Sequence, residues 1–450
     1  MDDLLAARSQ MAISLAFHII FAAPGIAMPL MMVIAEWRWL RTGDETYLTL
    51  AKRWAKGTAI LFAVGAVSGT VLSFELGLLW PAFMAQAGAI IGMPFSLEGF
   101  AFFTEAIFLG IYLYGWRRVS ARAHLAAGAI VALSGAASGI FVVMANAWMN
   151  TPTGFRIVSG KVVEVDPIAA MFNPAAFTQT VHMILAAYAA TGFAVAGIHA
   201  FMLRRDRRNL FHRHALTIAL AVGGVTAVLQ PLSGDLLAKA VAHNQPIKLA
   251  AFEGHFKTER GAPLRIGGFP DEESGTTPYS IEIPYGLSLL AFGSPQATVK
   301  GLEEFPRDQW PPVAVVHFAF QIMVAAGTAM MAVAVWAAWL AWRRRTLVAS
   351  PWFLRTVVAA APLGFIAIET GWVVTEVGRQ PWIIYGVMRT AEAVTPMPGL
   401  QVPFITFTLL YIFLAITVVW LLRHQVIESP QITLPADQKD RSDERGYAVN

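Results

Sequence analysis

The stretch PVAVVHFAFQIMVAAGTAMMAVAVWAAWLA, residues 312–341, contains no Asp, Glu, Lys or Arg, and three arginines follow it at 343–345. A helix needs roughly 20 apolar residues to cross the hydrocarbon layer of a bilayer, which is about 30 Å thick. A helix also satisfies its own backbone hydrogen bonds there, where no water can. The stretch therefore predicts a transmembrane helix with one end held at the membrane surface by arginine.

The rest of the chain repeats this pattern. Hydrophobic residues make up 56% of the 450 and charged residues 14%, with a mean hydropathy of +0.56, whereas soluble domains carry about 25% charged residues. Further apolar runs lie near residues 11–36, 54–76, 95–115, 123–148, 178–203, 214–237, 355–377 and 402–423. The sequence predicts an all-α polytopic membrane protein with about nine transmembrane helices.

The charged residues predict the orientation of these helices. Lysines and arginines lie in short clusters between the apolar runs, so the net charge of +4 indicates membrane topology and not a nucleic-acid partner. Alternate short loops hold seventeen of them, and the intervening short loops hold four. Because basic loops stay in the cytoplasm, we expect a periplasmic N-terminus and a cytoplasmic C-terminus. The start, MDDLLAARSQ, is not that of a signal peptide, so the first run is expected to be retained.

One connection, residues 239–311, is much longer than the others and is called the long connection below. It is rich in Pro and Gly, and the predicted orientation places it outside the cell. A segment of this length is more than a linker between packed helices, so it is a candidate functional loop. The expected organisation is helices one to six in 1–238, the long connection in 239–311, helices seven to nine in 312–427, and a cytoplasmic polar tail in 428–450.

Polar side chains inside the predicted spans are costly there, so each is a candidate for function. Most of them fall in the outer half of the bilayer beside the long connection, and two acids lie deeper, Glu105 and Glu369. Each of these acids is seven residues from a second one, which places the pair within about 20° of one helix face. The candidates are His18, Glu98, Glu105, Ser138, Asn146, His182, His317, Met323, Glu369 and Glu376.

The same residues have plain structural interpretations. A methionine in an apolar helix is most often core filler, and Glu376 can pair with Arg379 at a helix end. For His18 and His182, packing and ligand roles are equally open. The chain has no Cys, so a metal would be held by His, Met or carboxylate. A layer of such groups fits axial ligation of haem, and spacing alone favours His182 with His317 as a low-spin pair.

Six motifs, in order along nearly the whole chain, resemble subunit I of the cytochrome bd-type quinol oxidase family. They are EGFAFFTEAIFLG from 98, MANAWMNTP from 144, TVHM from 180, KLAAFE from 248, FQIMV from 320, and GRQPW from 378 with the preceding E-x-G-W-x-x-x-E. The resemblance implies that His18 is the axial ligand of the oxygen-reducing haem and Glu376 that of a second high-spin haem. It implies His182 and Met323 on the low-spin haem and leaves His317 as a non-ligand.

The resemblance also implies the roles of residues around the haems. Glu98 lies at the high-spin haem pair, and Glu105 and Ser138 belong to a proton route. The cofactor-binding positions include Arg379 and Trp372, which steady haem propionates and support electron transfer. Asn146 and Glu369 complete this set, Glu369 as a relay or a hydrogen-bond partner.

The long connection matches the quinol-oxidising region of the family. Quinol oxidation releases protons, so Glu253 would accept a proton and Lys248 would hold a quinol oxygen. The implied cofactors are a low-spin haem b, a high-spin haem b, and either haem d or a further haem b. The implied partners are quinol, O₂, the lipid bilayer and a second membrane subunit, with a small third subunit left open.

The activity implied is that of a terminal oxidase in the bacterial inner membrane. It would oxidise quinol on the periplasmic side and reduce O₂ to water with cytoplasmic protons, which generates proton-motive force without a pump. Two departures, Gln321 in place of an Arg and a long connection of only about 70 residues, resemble the short-loop, cyanide-insensitive branch. The alternatives are a proton-coupled transporter and a haem b membrane anchor of a quinone-linked enzyme.

Overall fold

The computed structural model describes residues 2–159, 161–343 and 346–424. Within these ranges nine helical segments are long and apolar enough to cross a membrane, which confirms the predicted fold class. Numbered in chain order together with the shorter helices, they are α1 (Asp3–Thr42), α2 (Glu45–Leu79), α3 (Pro81–Tyr114), α4 (Ala121–Asn150), α6 (Ala176–Leu203), α7 (Leu210–Asn244), α10 (Val313–Trp342), α11 (Pro351–Ala360) with α12 (Leu363–Glu376), and α14 (Gln401–Leu422). Arg344, Arg345 and the expected tail 428–450 lie outside the described residues.

Most of the helices begin before the apolar runs that predicted them. In α1 the Asp2 side chain accepts a hydrogen bond from Leu5 N at 2.7 Å, and Gly43 ends the helix in the left-handed conformation at φ 70°. The eighth span is two helices, because Pro362 has no N–H to donate and interrupts the hydrogen-bond ladder between α11 and α12. The polar caps and the proline therefore set helix bounds that hydropathy alone does not.

Two groups of helices make up the bundle. In the first, α1 packs against α2, α4, α6 and α14, and α3 packs against α4. In the second, α6 and α10 both pack against α7 and α12. The α6–α7 contact is especially close, since a Cβ on Gly192 would lie 2.5 Å from the Gly223 Cα. Small residues permit such approaches between membrane helices.

The long connection folds into a compact cap at one end of the bundle. It contains α8 (Pro246–Glu253) and α9 (Gly286–Phe292), with two antiparallel strand pairs. Residues from Ile247 to Leu302 form its apolar core against α10 and α12. The pairs are β3 (Glu259–Arg260) with β6 (Thr298–Val299), and β4 (Leu264–Gly267) with β5 (Ser280–Ile283).

The end of the bundle that carries the long connection is called the loop end below. The C-terminal ends of α4, α7 and α12 and the N-terminal ends of α6 and α10 meet there. The remaining short elements are α5 (Pro167–Met171), α13 (Thr390–Ala393), and the pairs β1 (Arg156–Val158) with β2 (Lys161–Val163) and β7 (Trp382–Ile384) with β8 (Met388–Arg389). Five ends of membrane helices therefore surround the region where the candidate residues were expected.

Candidate functional site

Glu376, the last residue of α12, lies at the centre of a polar cluster at the loop end. Asn146 on α4 donates a side-chain hydrogen bond to its Oε1, and Arg379 donates one to its Oε2. Each carboxylate oxygen retains a further lone pair. The structure therefore brings these three predicted residues together and shows the ion pair of Glu376 with Arg379, while the role of Glu376 as a metal ligand stays a prediction.

The Arg379 side chain is only 2% exposed, yet its Nε and Nη1 have no hydrogen-bond partner among the described residues. Trp372 Nε1 on α12 is likewise buried and unpaired. Buried donors without partners are costly, and a guanidinium is best satisfied by a bidentate carboxylate. These atoms therefore fit an anionic cofactor edge such as the propionates of haem.

Lys248 belongs to the same cluster, although it was expected to face quinol. Its Nζ donates to Asn150 Oδ1 at 2.6 Å and to the Thr375 carbonyl at 3.1 Å. Asn150 Nδ2 in turn donates to the Asn146 backbone oxygen at 3.0 Å. Burial and the nearby Arg379 charge lower the pKa of Lys248 well below its usual range, against the opposing effect of Glu376. Lys248 is thus hydrogen-bonded toward the Glu376 cluster.

Glu253 lies at the other end of α8. It is the fifth residue after Lys248, so the two side chains project about 140° apart around the helix axis. Glu253 is 4% exposed and its Oε2 is unpaired. Burial raises the pKa of Glu253 to about 8, partly offset by the charge of Arg265. A carboxyl group with a pKa near the working pH can accept and release a proton in each turnover.

The histidines and the methionine come from different helices. His18 on α1 places Nδ1 2.9 Å from Ser68 Oγ on α2, and His182 on α6 places Nδ1 3.0 Å from Ser233 Oγ on α7. Met323 on α10 lies against α12. Because α6 and α10 both pack on α7 and α12, His182 and Met323 belong to one four-helix group. Two such side chains on facing helices fit the axial pair of a low-spin haem.

His317 has a structural role in this fold. Its Nδ1 lies 2.9 Å from the Phe252 carbonyl and its Nε2 lies 3.1 Å from the Gly267 carbonyl. Gln321, one turn further along α10, donates to the Arg265 carbonyl and accepts from Gly267 N. Both side chains thus fasten the long connection to α10, and the carbonyls at both ring nitrogens of His317 do not favour the His182–His317 pair suggested by spacing. At this position, where an Arg would carry a positive charge, Gln321 has a neutral amide that both donates and accepts a hydrogen bond.

The acids of α3 face α4. Ser138 Oγ donates to Glu98 Oε1 at 3.2 Å. Glu105 is 4% exposed, its Oε1 is unpaired, and its carboxyl group lies 3.2 Å from the Cβ position of Gly135. Ser138 is thus bonded to Glu98, although the expected proton route grouped it with Glu105. Glu369 on α12 also has one buried, unpaired oxygen, as a relay acid or hydrogen-bond partner would.

Sequence reasoning missed several neighbours of the site. Asn150 was detectable, because it lies one helical turn after Asn146 within MANAWMN. Ser68 and Ser233 gave no signal, since a serine in a membrane helix is common and its partner lies on another helix.

Gly371 on α12 provides a test of the position of Met323, because a Cβ there would lie 2.9 Å from the Met323 Sδ. The thioether is the flexible part of its side chain, so we expect Gly371→Ala to displace the sulfur at little cost in stability. The expected result is an altered low-spin haem spectrum in a normally assembled protein, checked by absorbance and thermal unfolding. Gly327→Ala on α10, where a Cβ meets nothing within 4 Å, is the matched control. An unchanged spectrum in Gly371→Ala would argue against Met323 as a ligand.

Comparisons with known proteins agree with this geometry. The family model for cytochrome bd terminal oxidase subunit I matches residues 6–430. The structure of the bd oxidase from Geobacillus thermodenitrificans superposes with a TM-score of 0.90 at 43% identity, over 95% of this chain and 99% of that one. The cytochrome bd ubiquinol oxidase subunit 1 of Bacillus subtilis (strain 168) is 33% identical over 441 residues, 95% of this chain and 94% of the relative.

A more distant relative is the cytochrome bd-II ubiquinol oxidase subunit 1 of Escherichia coli (strain K12). It is 28% identical over 467 residues, which cover 88% of this chain and 90% of the relative. The matches extend over all nine membrane spans and the long connection, so they do not depend on one motif. The chain belongs to the cytochrome bd terminal oxidase subunit I family.

Proposed function

We propose that this subunit of a terminal quinol oxidase holds three haems at the loop end of its helices. His182 and Met323 would be the axial pair of a low-spin haem b. His18 and Glu376 would each be the single protein ligand of a high-spin haem. The haem on Glu376 would be haem b, and the haem on His18 would be haem d or a further haem b. The bound haems would carry electrons from quinol and supply the iron on which O₂ is reduced to water.

The observation that carries this proposal is the Glu376 cluster. It combines a half-buried carboxylate with a spare lone pair, held by Asn146 and Arg379, and buried donors on Arg379 and Trp372 without partners. In a structural ion pair we would expect the guanidinium to be fully satisfied. The arrangement instead supports one metal ligand and two or three donors for the anionic edge of a cofactor.

A spectrum of the purified complex tests the proposal. We expect reduced-minus-oxidised absorbance to show a Soret band and separate low-spin and high-spin signals, with extraction giving three haems per complex. An absorbance band at the red end of the visible would identify a chlorin. The absence of that band would identify a further haem b. A complex without any Soret band would refute the haem assignment.

For quinol oxidation we propose Glu253 as the proton acceptor. Its side chain is buried in the long connection, and its Oε2 has no hydrogen-bond partner among the described residues. Its position on α8 directs it away from Lys248. Lys248 would act indirectly, by holding Asn150 and the end of α12 in place. This would change its expected role from a quinol ligand to a support for the Glu376 cluster.

A pH profile tests the role of Glu253. A proton acceptor must be ionised, and with a pKa of about 8 only roughly a tenth of Glu253 is ionised at pH 7. We expect quinol oxidation to rise between about pH 7 and about pH 9, as the ionised fraction of Glu253 grows, and to level off above about pH 9. Glu253→Gln should abolish this rise and slow turnover by about 10²- to 10⁴-fold, the usual contribution of a general base.

Steady-state assays with a soluble quinol measure this effect, and Glu273→Gln is the control because that residue is exposed in the same long connection. A pH profile of Glu253→Gln that keeps the wild-type rise would exclude Glu253 as the acceptor.

The protons for O₂ reduction would follow a separate route. Glu105 and Glu98 lie two turns apart on α3, and Ser138 on α4 donates a hydrogen bond to Glu98. We propose that this ladder delivers cytoplasmic protons to the haem pair, with the loop end on the periplasmic side. Charge would then be separated across the membrane without a pump.

Membership of the family also implies partner subunits in the bacterial inner membrane. We propose a second membrane subunit, with a small third subunit left open. The comparisons do not favour a proton-coupled transporter or a haem b membrane anchor.

A further inference from the structure

His18 on α1 and His182 on α6 are proposed ligands of different haems, yet their rings are held in the same way. In each case Nδ1 contacts the hydroxyl of a serine on the next membrane helix along the chain. The distance is 2.9 Å from His18 to Ser68 on α2 and 3.0 Å from His182 to Ser233 on α7.

The direction of these hydrogen bonds follows from counting hydrogens. Each serine hydroxyl has one hydrogen, and each lies 2.9 Å from a carbonyl of its own helix, Val64 O for Ser68 and Gln230 O for Ser233. A carbonyl can only accept, so the hydroxyl hydrogen is used there. The serine oxygen must then accept from the histidine, which places the ring proton on Nδ1 and leaves the lone pair on Nε2.

Two other buried histidines lack this arrangement. His317 faces backbone carbonyls at both ring nitrogens. His124 faces the Glu36 carboxylate at 2.8 Å from Nδ1 and the Tyr112 carbonyl at 2.9 Å from Nε2. Each ring nitrogen of these two histidines therefore lies against an oxygen atom of the protein and not against a serine hydroxyl, which disfavours metal binding.

The amide of Gln230 lies close to His182 without blocking it. Its Nε2 is 3.1 Å from His182 Nε2 and 3.3 Å from Nδ1. The lone-pair directions of the two ring nitrogens diverge, so an atom nearly equidistant from both lies along neither of them. The Nε2 lone pair is still available to a ligand.

We propose that Ser68 and Ser233 are positioning residues for the haem ligands His18 and His182. This inference rests on the proposed ligand roles of the two histidines. Each serine fixes the tautomer and the ring orientation, so that Nε2 points to the iron. Each hydrogen bond also makes the imidazole a stronger donor, which favours ferric iron and lowers the midpoint potential.

Redox titration of the complete purified complex tests the inference. Ser68→Ala should shift the midpoint potential of the His18 haem to more positive values and lower its iron–nitrogen stretching frequency in resonance Raman spectra. Ser233→Ala should shift the midpoint potential of the low-spin haem alone to more positive values. In each variant the other haems should keep their wild-type values.

Serines and threonines on the same helices provide matched controls. Ser73 on α2 bonds the Gly69 carbonyl at 3.2 Å and Thr226 on α7 bonds the Val222 carbonyl at 2.9 Å, with no ring contact. Ser73→Ala and Thr226→Val should leave all potentials unchanged. If an alanine variant does not assemble, Ser68→Cys or Ser233→Cys keeps the volume with a poorer acceptor and should give a smaller shift of the same sign.

The outcomes separate this inference from the proposed function. Suppose that His18→Ala and His182→Ala each lose a haem, as the proposed function requires. The inference is then overturned if the serine variants show the same potentials and stretching frequencies as the controls. If the histidine variants keep every haem, the proposed ligands themselves are wrong and the inference is overturned with them.

Discussion

Replacement of His182 by Ala is expected to remove the low-spin haem signal and to slow quinol oxidation by more than about a hundredfold. Loss of a hydrogen-bonded neighbour of a metal ligand already costs about 10–100-fold in affinity or activity, so loss of the ligand should cost at least as much. The high-spin signals should persist, because His18 and Glu376 lie on α1 and α12 and do not share a hydrogen bond with His182.

Absorbance spectra and haem counts of the purified complex measure this outcome. The control is His199→Ala, a buried histidine on the same helix near its other end, where Nδ1 bonds His212 Nδ1 at 2.8 Å. His199→Ala should keep all haem signals. Loss of the high-spin haems from His182→Ala with the low-spin band intact would contradict the assignment.

Replacement of Glu376 by Gln is expected to remove one high-spin haem and to reduce O₂ consumption by more than about a hundredfold, by the same reasoning. An amide is a poor ligand for iron, and the variant also leaves the buried Arg379 guanidinium without its counter-charge. The low-spin band should remain and should still be reduced by quinol.

Glu369→Gln is the matched control, since Glu369 lies two turns earlier on the same helix and also has an unpaired buried oxygen. It should keep all the haem, and slower O₂ reduction without haem loss would support a relay role for this acid. Full haem content in Glu376→Gln would show that Glu376 is only the ion-pair partner of Arg379.

Much of the fold could be predicted because a membrane imposes strict rules. Apolar runs and loop charge were sufficient to identify nine spans, and the family motifs named most residues that meet at the loop end. The ends of the helices were harder to predict from the sequence, because caps such as Asp2 and the break at Pro362 depend on single polar or proline residues. Length and hydropathy therefore predict a span better than they predict its ends.

The direction of individual side chains was the least predictable part. The sequence places Lys248 and Glu253 in one motif, but a helix of eight residues turns them to different faces. The partner of Ser138 depends on the relative height of α3 and α4, which no residue spacing within one helix specifies. The serines beside His18 and His182 were missed for the same reason.

The bonds that join Lys248 to Asn150, and Asn150 to Asn146 beside Glu376, have a consequence for protein engineering. A chimera that brings in a loop without a lysine at this place would leave Asn150 without its donor, because the two bonded residues come from segments about 100 residues apart. Such a graft should disturb the Glu376 centre even when the new loop folds correctly. A viable exchange therefore has to keep the lysine of the loop and the asparagine at the end of α4 matched, so two separate segments of the chain have to be exchanged together.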